Sequence, residues 1–176
     1  MLNFGSEQIY LRALEPEDLS FLEQIENDEQ LWHLSNTQTP FSKQILKEYL
    51  NNCHKDIFEV KQLRLAICLN SNDEQFGFID IYDFSPQHKR AGIGIIIDTT
   101  YRGNGYAKEA VNAVLKYGFN HLDLHQFFAY IEVENIQSIK LFESCGFFKS
   151  GERKDWNYHH QKFHTEAIYQ NIKNVH

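Results

Sequence analysis

The stretch Ile95-Ile-Ile-Asp-Thr-Thr-Tyr-Arg-Gly-Asn-Gly-Tyr-Ala-Lys-Glu-Ala-Val111 carries the strongest structural signal in this sequence. It opens with three consecutive β-branched residues, which predict a strand buried on both faces. A polar turn with two glycines follows, and from Ala107 onward the apolar residues recur at the spacing of one helix face. A strand, a glycine-rich turn and a helix in this order predict an anion site, because the first amides of a helix have no internal partner and carry the positive end of its dipole.

The glycine turn itself narrows the kind of anion. Gly103 and Gly105 lack the side chains that would hold a phosphate away from the helix amides, and Arg102 adds a positive charge. The P-loop pattern is absent. The Gly-x-Gly-x-x-Gly dinucleotide fingerprint also fails, because Lys108 stands where its third glycine belongs. A tight connection that binds no ligand remains an alternative from these residues alone.

The composition predicts a single globular domain over residues 1–176. The chain is 42% hydrophobic and 14% aromatic, and its 3 prolines form no linker-like tract. A net charge of −7 disfavours a nucleic-acid binder and is compatible with a cationic substrate such as an amine. No apolar run reaches the roughly 18 residues of a membrane span, and the N-terminus lacks the regions of a signal peptide. The three cysteines, Cys53, Cys68 and Cys145, show no metal spacing, so we expect reduced thiols and a cytoplasmic location.

The order of the predicted elements indicates an α/β fold with a mixed sheet and helices on both faces. Strands are expected at residues 8–14, 63–69, 75–82, 89–97, 125–133, about 147–156 and 163–169. Helices are expected to begin near residues 15, 27 and 40, and to cover residues 105–121 and 135–145. Ile45 and Ile136 are expected on the inner faces of their helices, and Gly146 is expected to cap the last one.

A second motif, Glu134-Asn-Ile-Gln-Ser-Ile-Lys-Leu-Phe-Glu-Ser-Cys-Gly-Phe147, makes the pattern more specific. Its Asn-x-x-Ser start and Gly-Phe end, placed downstream of Arg102-x-x-Gly-x-Ala107, resemble the cofactor site of the GNAT N-acetyltransferases. Leu11–Leu19 is similar to the family's opening and Gly151-Glu-Arg to its penultimate strand, so the resemblance covers nearly the whole chain. Within the family the likeness is to the branch of ribosomal-protein N-terminal acetyltransferases and spermidine/diamine acetyltransferases. This resemblance argues against the ligand-free turn.

The resemblance implies the GNAT fold, with six to seven strands splayed between the fourth and fifth, and acetyl-CoA as co-substrate. The fourth strand would pair its backbone with the pantetheine arm at Ile95, Ile96 and Ile97. The loop amides would hold the pyrophosphate at Arg102, Gly103, Asn104, Gly105, Tyr106 and Ala107. Asn135 would hydrogen-bond the pantetheine, and its helix, with Ser138 and Phe142, would flank the thiol end. Gly92 and Gly94 would belong to a bulged, splayed strand that admits the cofactor, with a weak strand end as the alternative.

Acetyl transfer to an amine needs donors for the developing oxyanion and an acid for the leaving thiolate. The strand amide near Ile95 or Ile96 is the candidate oxyanion donor. Phe142 stands where many GNATs carry a tyrosine acid, and phenylalanine cannot donate a proton. Ser138 is therefore the candidate acid, with an ordinary helix-start serine as an equally weighted alternative.

The amine must also be deprotonated, because an ammonium has no lone pair and a lysine-like amine has a pKa near 10.4. Gly92 stands where related enzymes carry a carboxylate base. Asp80, Glu132 and Asp155 are candidate substitutes, each with an exposed surface charge as the alternative interpretation.

The pattern His159-His160-x-x-x-His164 raises the question of a metal ion. Adjacent histidines rarely chelate one ion, and in the sequence no cysteine or carboxylate completes a set. The pattern therefore predicts a solvated hairpin turn and no metal site.

These features predict an acetyl-CoA-dependent N-acetyltransferase that transfers the acetyl group directly in a ternary complex. The acceptor is a primary amine, either of a small molecule such as a polyamine or of a protein N-terminus. Leu34–Pro40 contains no carboxylate, whereas the polyamine branch carries acidic residues there, which tilts the choice weakly away from spermidine. The alternative from another class is a non-catalytic acyl-CoA-binding protein. No membrane or nucleic-acid partner is expected, and a homodimer is allowed but required by no residue pattern.

Overall fold

A computed structural model describes residues 7–35 and 37–173 and contains one mixed sheet in the order β1-β2-β3-β4-β5-β7-β6. Its strands are β1 (Ile9–Ala13), β2 (Leu63–Leu69), β3 (Gln75–Ser85), β4 (Arg90–Ile97), β5 (Gln126–Glu132), β6 (Phe148–His159) and β7 (Lys162–Ile172). The β4–β5 pair is parallel and the other neighbours are antiparallel. The predicted mixed α/β sheet is confirmed.

Six α-helices surround the sheet, namely α1 (Leu19–Glu26), α2 (Trp32–Ser35), α3 (Lys43–Asn52), α4 (Ile57–Val60), α5 (Tyr106–Asn120) and α6 (Ile136–Ser144) in the described ranges. Local chemistry sets several of their ends. Ser42 accepts a hydrogen bond from the Ile45 amide at the start of α3, and Gly146 follows α6 at φ +85°, as expected for a C′ glycine. The single turn of α4 escaped prediction because four residues show no periodicity. Within these ranges no helix is long and apolar enough to cross a membrane.

Apolar residues cover both faces of the sheet. On one face α5 packs into a large cluster that includes Val111, Val114, Ile93 and Phe127. On the other face α1 and α3 pack through residues that include Leu22, Leu46 and Leu50, against Phe78 of the sheet. Helices on both faces are thus confirmed.

Two residues were wrongly expected to face inward. Ile45 and Ile136 are 51% and 52% exposed. Each lies in the first turn of its helix. Ile45 directly precedes the buried Leu46 of α3, and Ile136 is six residues before the buried Phe142 of α6. The inner face of α3 is the pair Leu46 and Leu50, four residues apart, so Ile45 lies about 100° around the helix from Leu46.

The sheet opens between β4 and β5, as predicted. The two strands pair only from Arg90–Gln126 to Gly92–Phe128. Beyond Gly92, β4 continues to pair with β3 as far as Ile97, so its other backbone edge faces no strand. Residues 93–97 therefore offer backbone donors and acceptors to whatever occupies the gap.

The register of β3 and β4 refines the interpretation of Gly92. The pairing is regular from Gly77–Ile97 to Tyr82–Gly92, and its irregularity lies directly beside Gly92, between the Tyr82–Gly92 and Ser85–Arg90 pairs, with the extra residue on β3. In addition, a Cβ added at Gly92 would come within 2.3 Å of the Tyr82 ring, whereas one at Gly94 would meet that ring at an ordinary 3.7 Å. Gly92 is a glycine because the Tyr82 ring lies across it. The Tyr82 ring in turn packs edge-on against Phe128 of β5, with 5.8 Å between ring centroids.

We expect Gly92→Ala to destabilise the fold by about 1–3 kcal/mol, because the new methyl group must displace a half-buried ring that packs against Phe128. Chemical denaturation measures this cost. Gly94→Ala, two residues along the same strand and on the same face, is the control and should change stability little. A Tyr82→Ala background should remove most of the Gly92→Ala cost; an undiminished cost there would contradict the assignment.

Candidate active site

A cleft of about 450 Å³ opens where β4 and β5 part. One wall is the unpaired part of β4 with the start of α6. The opposite wall includes residues of α1 and α2, and the end of β5 and the β6–β7 hairpin close one side. The free edge of β4 and these polar residues line the same cleft. An acetyl donor that binds along β4 could therefore meet an acetyl acceptor that binds among the polar residues.

The glycine loop lies between β4 and α5. Gly103 and Gly105 both adopt φ +84°, a backbone conformation that strains any other residue, and nothing lies within 4 Å of where their Cβ atoms would be. Gly105 is the N-cap of α5, so the first helix amides open toward this empty space. Arg102 is tied to the strand end, because its Nε donates to the Ile97 carbonyl at 3.0 Å. The loop has the shape of the predicted pyrophosphate site, and the binding role of its residues remains a prediction.

The predicted pantetheine strand lies partly in the cleft. Ile95 and Ile96 line it, whereas Ile97 is buried at the strand end beside Gly77. A ligand along this edge would therefore meet the backbone of β4 rather than the Ile97 side chain.

The start of α6 lines the cleft together with the strand edge. The Asn135 side-chain oxygen accepts a hydrogen bond from the Ser138 amide at 3.1 Å, which caps the helix. The amide NH₂ of Asn135 is left to donate to a cofactor. Since Asn135 provides the cap, the Ser138 hydroxyl is not needed for it, and this side chain lines the cleft. Phe142 is buried at the same wall and packs edge-on against Phe147.

Asp80 lies in the cleft as predicted but is engaged by an arginine. Arg64 Nε and Nη2 donate to its two carboxylate oxygens at 2.7 and 3.1 Å, and Arg64 Nη1 pairs with Glu26 of α1. Burial pushes the pKa of Arg64 down, but Asp80 and Glu26 outweigh it and raise that pKa. A permanent cation therefore contacts both carboxylate oxygens of Asp80.

Glu132, at the end of β5, also lines the cleft. Its carboxylate accepts a hydrogen bond from Asn157 Nδ2 at 3.0 Å, and His159 Nε2 lies 2.9 Å from one carboxylate oxygen and 3.0 Å from the other. Asp155, the third candidate base, is exposed in a left-handed backbone conformation and does not line the cleft. Of the three candidate bases, Glu132 is the one that lines the cleft without an arginine bound to its carboxylate.

The histidine pattern is not a solvated turn. His160 is exposed in the turn, but the His159 and His164 rings stack at 3.7 Å between centroids and lie beside Glu132. The expectation that no carboxylate joins these histidines was wrong, because β5 places Glu132 against the hairpin. His33 of α2 packs on His159 at 4.9 Å, and burial, followed by the neighbouring His159, lowers the pKa of His33.

The tyrosines divide into two groups. Tyr101 and Tyr106 pack on Phe76 and do not line the cleft. Tyr130 and Tyr82 do line it, and burial raises the pKa of Tyr82. Sequence reasoning missed Tyr82, although it could have been found two residues after Asp80, on the same face of a predicted strand.

Other cleft residues gave no signal in the sequence. They include the polar or charged side chains Glu26, His33, Arg64, Asn157 and Glu166. None belongs to a motif, and each enters the cleft only because its strand or helix packs there.

Comparisons with known proteins agree with this geometry. The sequence profile of the Acetyltransferase (GNAT) domain matches residues 8–148. The chain is 27% identical over 168 residues to the spermidine N(1)-acetyltransferase of Vibrio cholerae, covering 96% of this chain and 91% of that one. It is 32% identical over 152 residues to the N-acetyltransferase p20 of Bacillus licheniformis, covering 86% and 85%.

The fold has close counterparts among solved structures. The spermidine N-acetyltransferase of Vibrio cholerae in complex with CoA and spermine superposes with a TM-score of 0.85 at 24% identity, over 95% of this chain and 96% of that one. Profile, relatives and fold agree: the chain belongs to the GNAT acetyltransferase family and is an N-acetyltransferase whose co-substrate is acetyl-CoA.

Proposed function

We propose that this N-acetyltransferase acetylates a primary amine of a polyamine such as spermidine. The observation that carries the proposal is the charge of the cleft. Four carboxylates line it, those of Glu26, Asp80, Glu132 and Glu166. Two arginines pair with them, Arg64 with Glu26 and Asp80, and Arg153 with Glu166, so carboxylates remain in excess. An excess of carboxylates attracts a substrate with several ammonium groups more strongly than a protein N-terminus with a single one. The similar protein of Vibrio cholerae is named a spermidine N(1)-acetyltransferase, which supports the same choice.

This choice reverses the weak tilt away from spermidine that Leu34–Pro40 suggested. Asn36 lies outside the described residues, and the rest of that segment contributes no carboxylate. The acidic groups come instead from α1, β3, β5 and β7. A protein N-terminus and a non-catalytic acyl-CoA-binding role have no comparable observation in their favour.

In the proposed complex, acetyl-CoA lies along the free edge of β4. The backbone of residues 93–96 would pair with the pantetheine arm, and the amides that follow Gly105 would hold the pyrophosphate. The Asn135 amide NH₂ would reach the pantetheine from the other side of the gap. This arrangement places the thioester near Ser138 and Phe142, at the wall of the cleft.

The transfer would then need three groups of the chain. Glu132 takes a proton from the ammonium, so that the amine nitrogen can attack the thioester carbon. The strand amide at Ile95 or Ile96 donates to the oxyanion that forms. As the carbon–sulfur bond breaks, Ser138 donates a proton to the thiolate, because Phe142 has none to give, and the proton that the positively charged nitrogen of the intermediate must lose restores the Ser138 hydroxyl. The products are the acetylated amine and CoA.

For the donor loop, we expect Gly105→Ala to raise the KM for acetyl-CoA about tenfold or more. The substitution strains the φ +84° N-cap and places a methyl group in the space assigned to the pyrophosphate. The KM for the amine should change little. Gly151→Ala, where a methyl group meets nothing within 4 Å, is the control. An unchanged KM for acetyl-CoA in a folded Gly105→Ala protein would contradict the loop assignment.

For the acceptor, we expect acetyl-CoA-dependent thiol release with spermidine to exceed release with N-terminal peptides by at least about tenfold in kcat/KM. Glu132→Gln should lower kcat/KM for spermidine by about tenfold or more, which corresponds to about 1.4 kcal/mol. Glu152→Gln, an exposed partner of Lys149, is the control. Preference for a peptide would overturn the polyamine proposal, and CoA binding without turnover on any amine would favour the non-catalytic alternative.

For the leaving group, we expect Ser138→Ala to lower kcat by about 10²-fold while leaving the KM for acetyl-CoA nearly unchanged, since general-acid catalysis contributes about 10²–10⁴-fold. Ser144→Ala tests the same change near the other end of α6, where the hydroxyl donates to the Leu141 carbonyl. If Ser138→Ala kept full kcat, Ser138 would not be the acid.

A further inference from the structure

We propose that Glu132, Glu134, His159 and His164 form a binding site for a divalent transition-metal ion at the edge of the cleft. The ligand atoms of Glu132, His159 and His164 lie within 4.8 Å of one another. Glu132 lies on β5, His159 on β6 and His164 on β7, and β7 pairs with both other strands. Strand pairing therefore holds these three residues in place.

His164 gives the first reason. Its Nε2 lies 3.3 Å from the His159 carbonyl oxygen. A carbonyl only accepts hydrogen bonds, so in the neutral ring Nε2 carries the proton and Nδ1 presents a lone pair. His164 is almost fully buried, with a side chain 7% exposed, and its Nδ1 has no hydrogen-bond partner. A backbone carbonyl on one ring nitrogen and a free lone pair on the other is the usual arrangement of a metal-binding histidine.

The direction of that lone pair gives the second reason. His164 Nδ1 lies 3.8 Å from a Glu132 carboxylate oxygen and 3.6 Å from one of Glu134. These distances are too long for hydrogen bonds. Two ligand atoms on one tetrahedral ion, with bonds of about 2.0–2.1 Å, are separated by about 3.4 Å. A lone pair that faces two carboxylates is repelled by them unless a proton or a metal ion lies between, and a metal ion can bind all three groups at once.

His159 completes the set. Its Nε2 is within hydrogen-bond distance of both Glu132 oxygens, so a proton lies between ring and carboxylate, and its Nδ1 is buried without a hydrogen-bond partner. An ion would replace that proton. The His159 and His164 planes are inclined by only 8°, so both rings must rotate about their Cβ–Cγ bonds for their lone pairs to converge on one ion.

The donor set indicates the kind of ion. Two imidazoles with carboxylates suit Zn²⁺, Co²⁺ or Ni²⁺, whereas Mg²⁺ and Ca²⁺ prefer sites made of oxygen alone. Glu134 is half-exposed in the turn after β5, so it can complete the coordination from the solvent side. Zn²⁺ is therefore the probe of choice and Mg²⁺ its control.

The site has a consequence for acetyl transfer that rests on the proposed function. Glu132 would give its carboxylate either to the ion or to the ammonium of the acceptor. We therefore expect Zn²⁺ to inhibit competitively with the amine and not with acetyl-CoA.

The deciding experiment is calorimetric titration of the full, tag-free chain with ZnCl₂, without acetyl-CoA or amine, together with the visible spectrum of the Co²⁺ form. One Zn²⁺ should bind per chain, Mg²⁺ should not, and the Co²⁺ spectrum should be that of a four-coordinate ion. His164→Gln should weaken Zn²⁺ binding by at least about tenfold. His160→Gln, in the exposed turn of the same hairpin, should bind like the unmodified protein.

Because His164 is buried, Glu132→Gln serves as a second variant of nearly equal volume, with circular dichroism to verify folding. Zn²⁺ should raise the melting temperature of the unmodified chain and not that of Glu132→Gln, since a ligand stabilises only the state that binds it. Absence of one-to-one Zn²⁺ binding, or equal affinity in His164→Gln and His160→Gln, would overturn the site. Since no substrate is present, such a failure would leave the polyamine proposal untouched, and a wrong acceptor would leave the metal result untouched.

Discussion

The parting of β4 and β5 after Gly92 and Phe128 is the constraint on which the rest of the site depends. Buried backbone amides and carbonyls need partners, and beyond Gly92 one edge of β4 has none from β5. The pantetheine arm of acetyl-CoA can supply them as an added strand would. The glycine loop follows directly from the far end of the same strand, so the position of β4 also sets where the pyrophosphate would lie.

Tyr82 lies where the strands part. Its ring lies across Gly92 on β4 and packs edge-on against Phe128 on β5, and these two residues form the last pair between the strands. The ring therefore contacts both strands at the point where their own pairing ends. Because the same ring takes the space over Gly92, a larger side chain at that position would clash with it.

The carboxylates of the cleft have different partners. Arg64 binds both Asp80 and Glu26, because leaving either carboxylate buried without a cation would cost several kcal/mol. Glu132 is held differently, by Asn157 and the His159 ring, which satisfy it without an obligatory positive charge. Two carboxylates that look alike in the sequence thus differ in what they can do: one is neutralised by a permanent cation, and the other remains available to a proton, an ammonium or a metal ion.

Sequence alone predicted the features that depend on a few consecutive residues. The strand–turn–helix, the short helix after Asn135 and the Gly146 terminus all rest on hydrogen bonds or backbone angles within one short segment, and all are present. Family and co-substrate followed from the same segments. The tertiary structure alone decided the acceptor side, because Glu26, Arg64, Glu132 and His164 come from four separate elements. No local rule relates residues so far apart in the chain. Their chemistry depends on which strands and helices pack together, and that packing left Asp80 paired and Glu132 open.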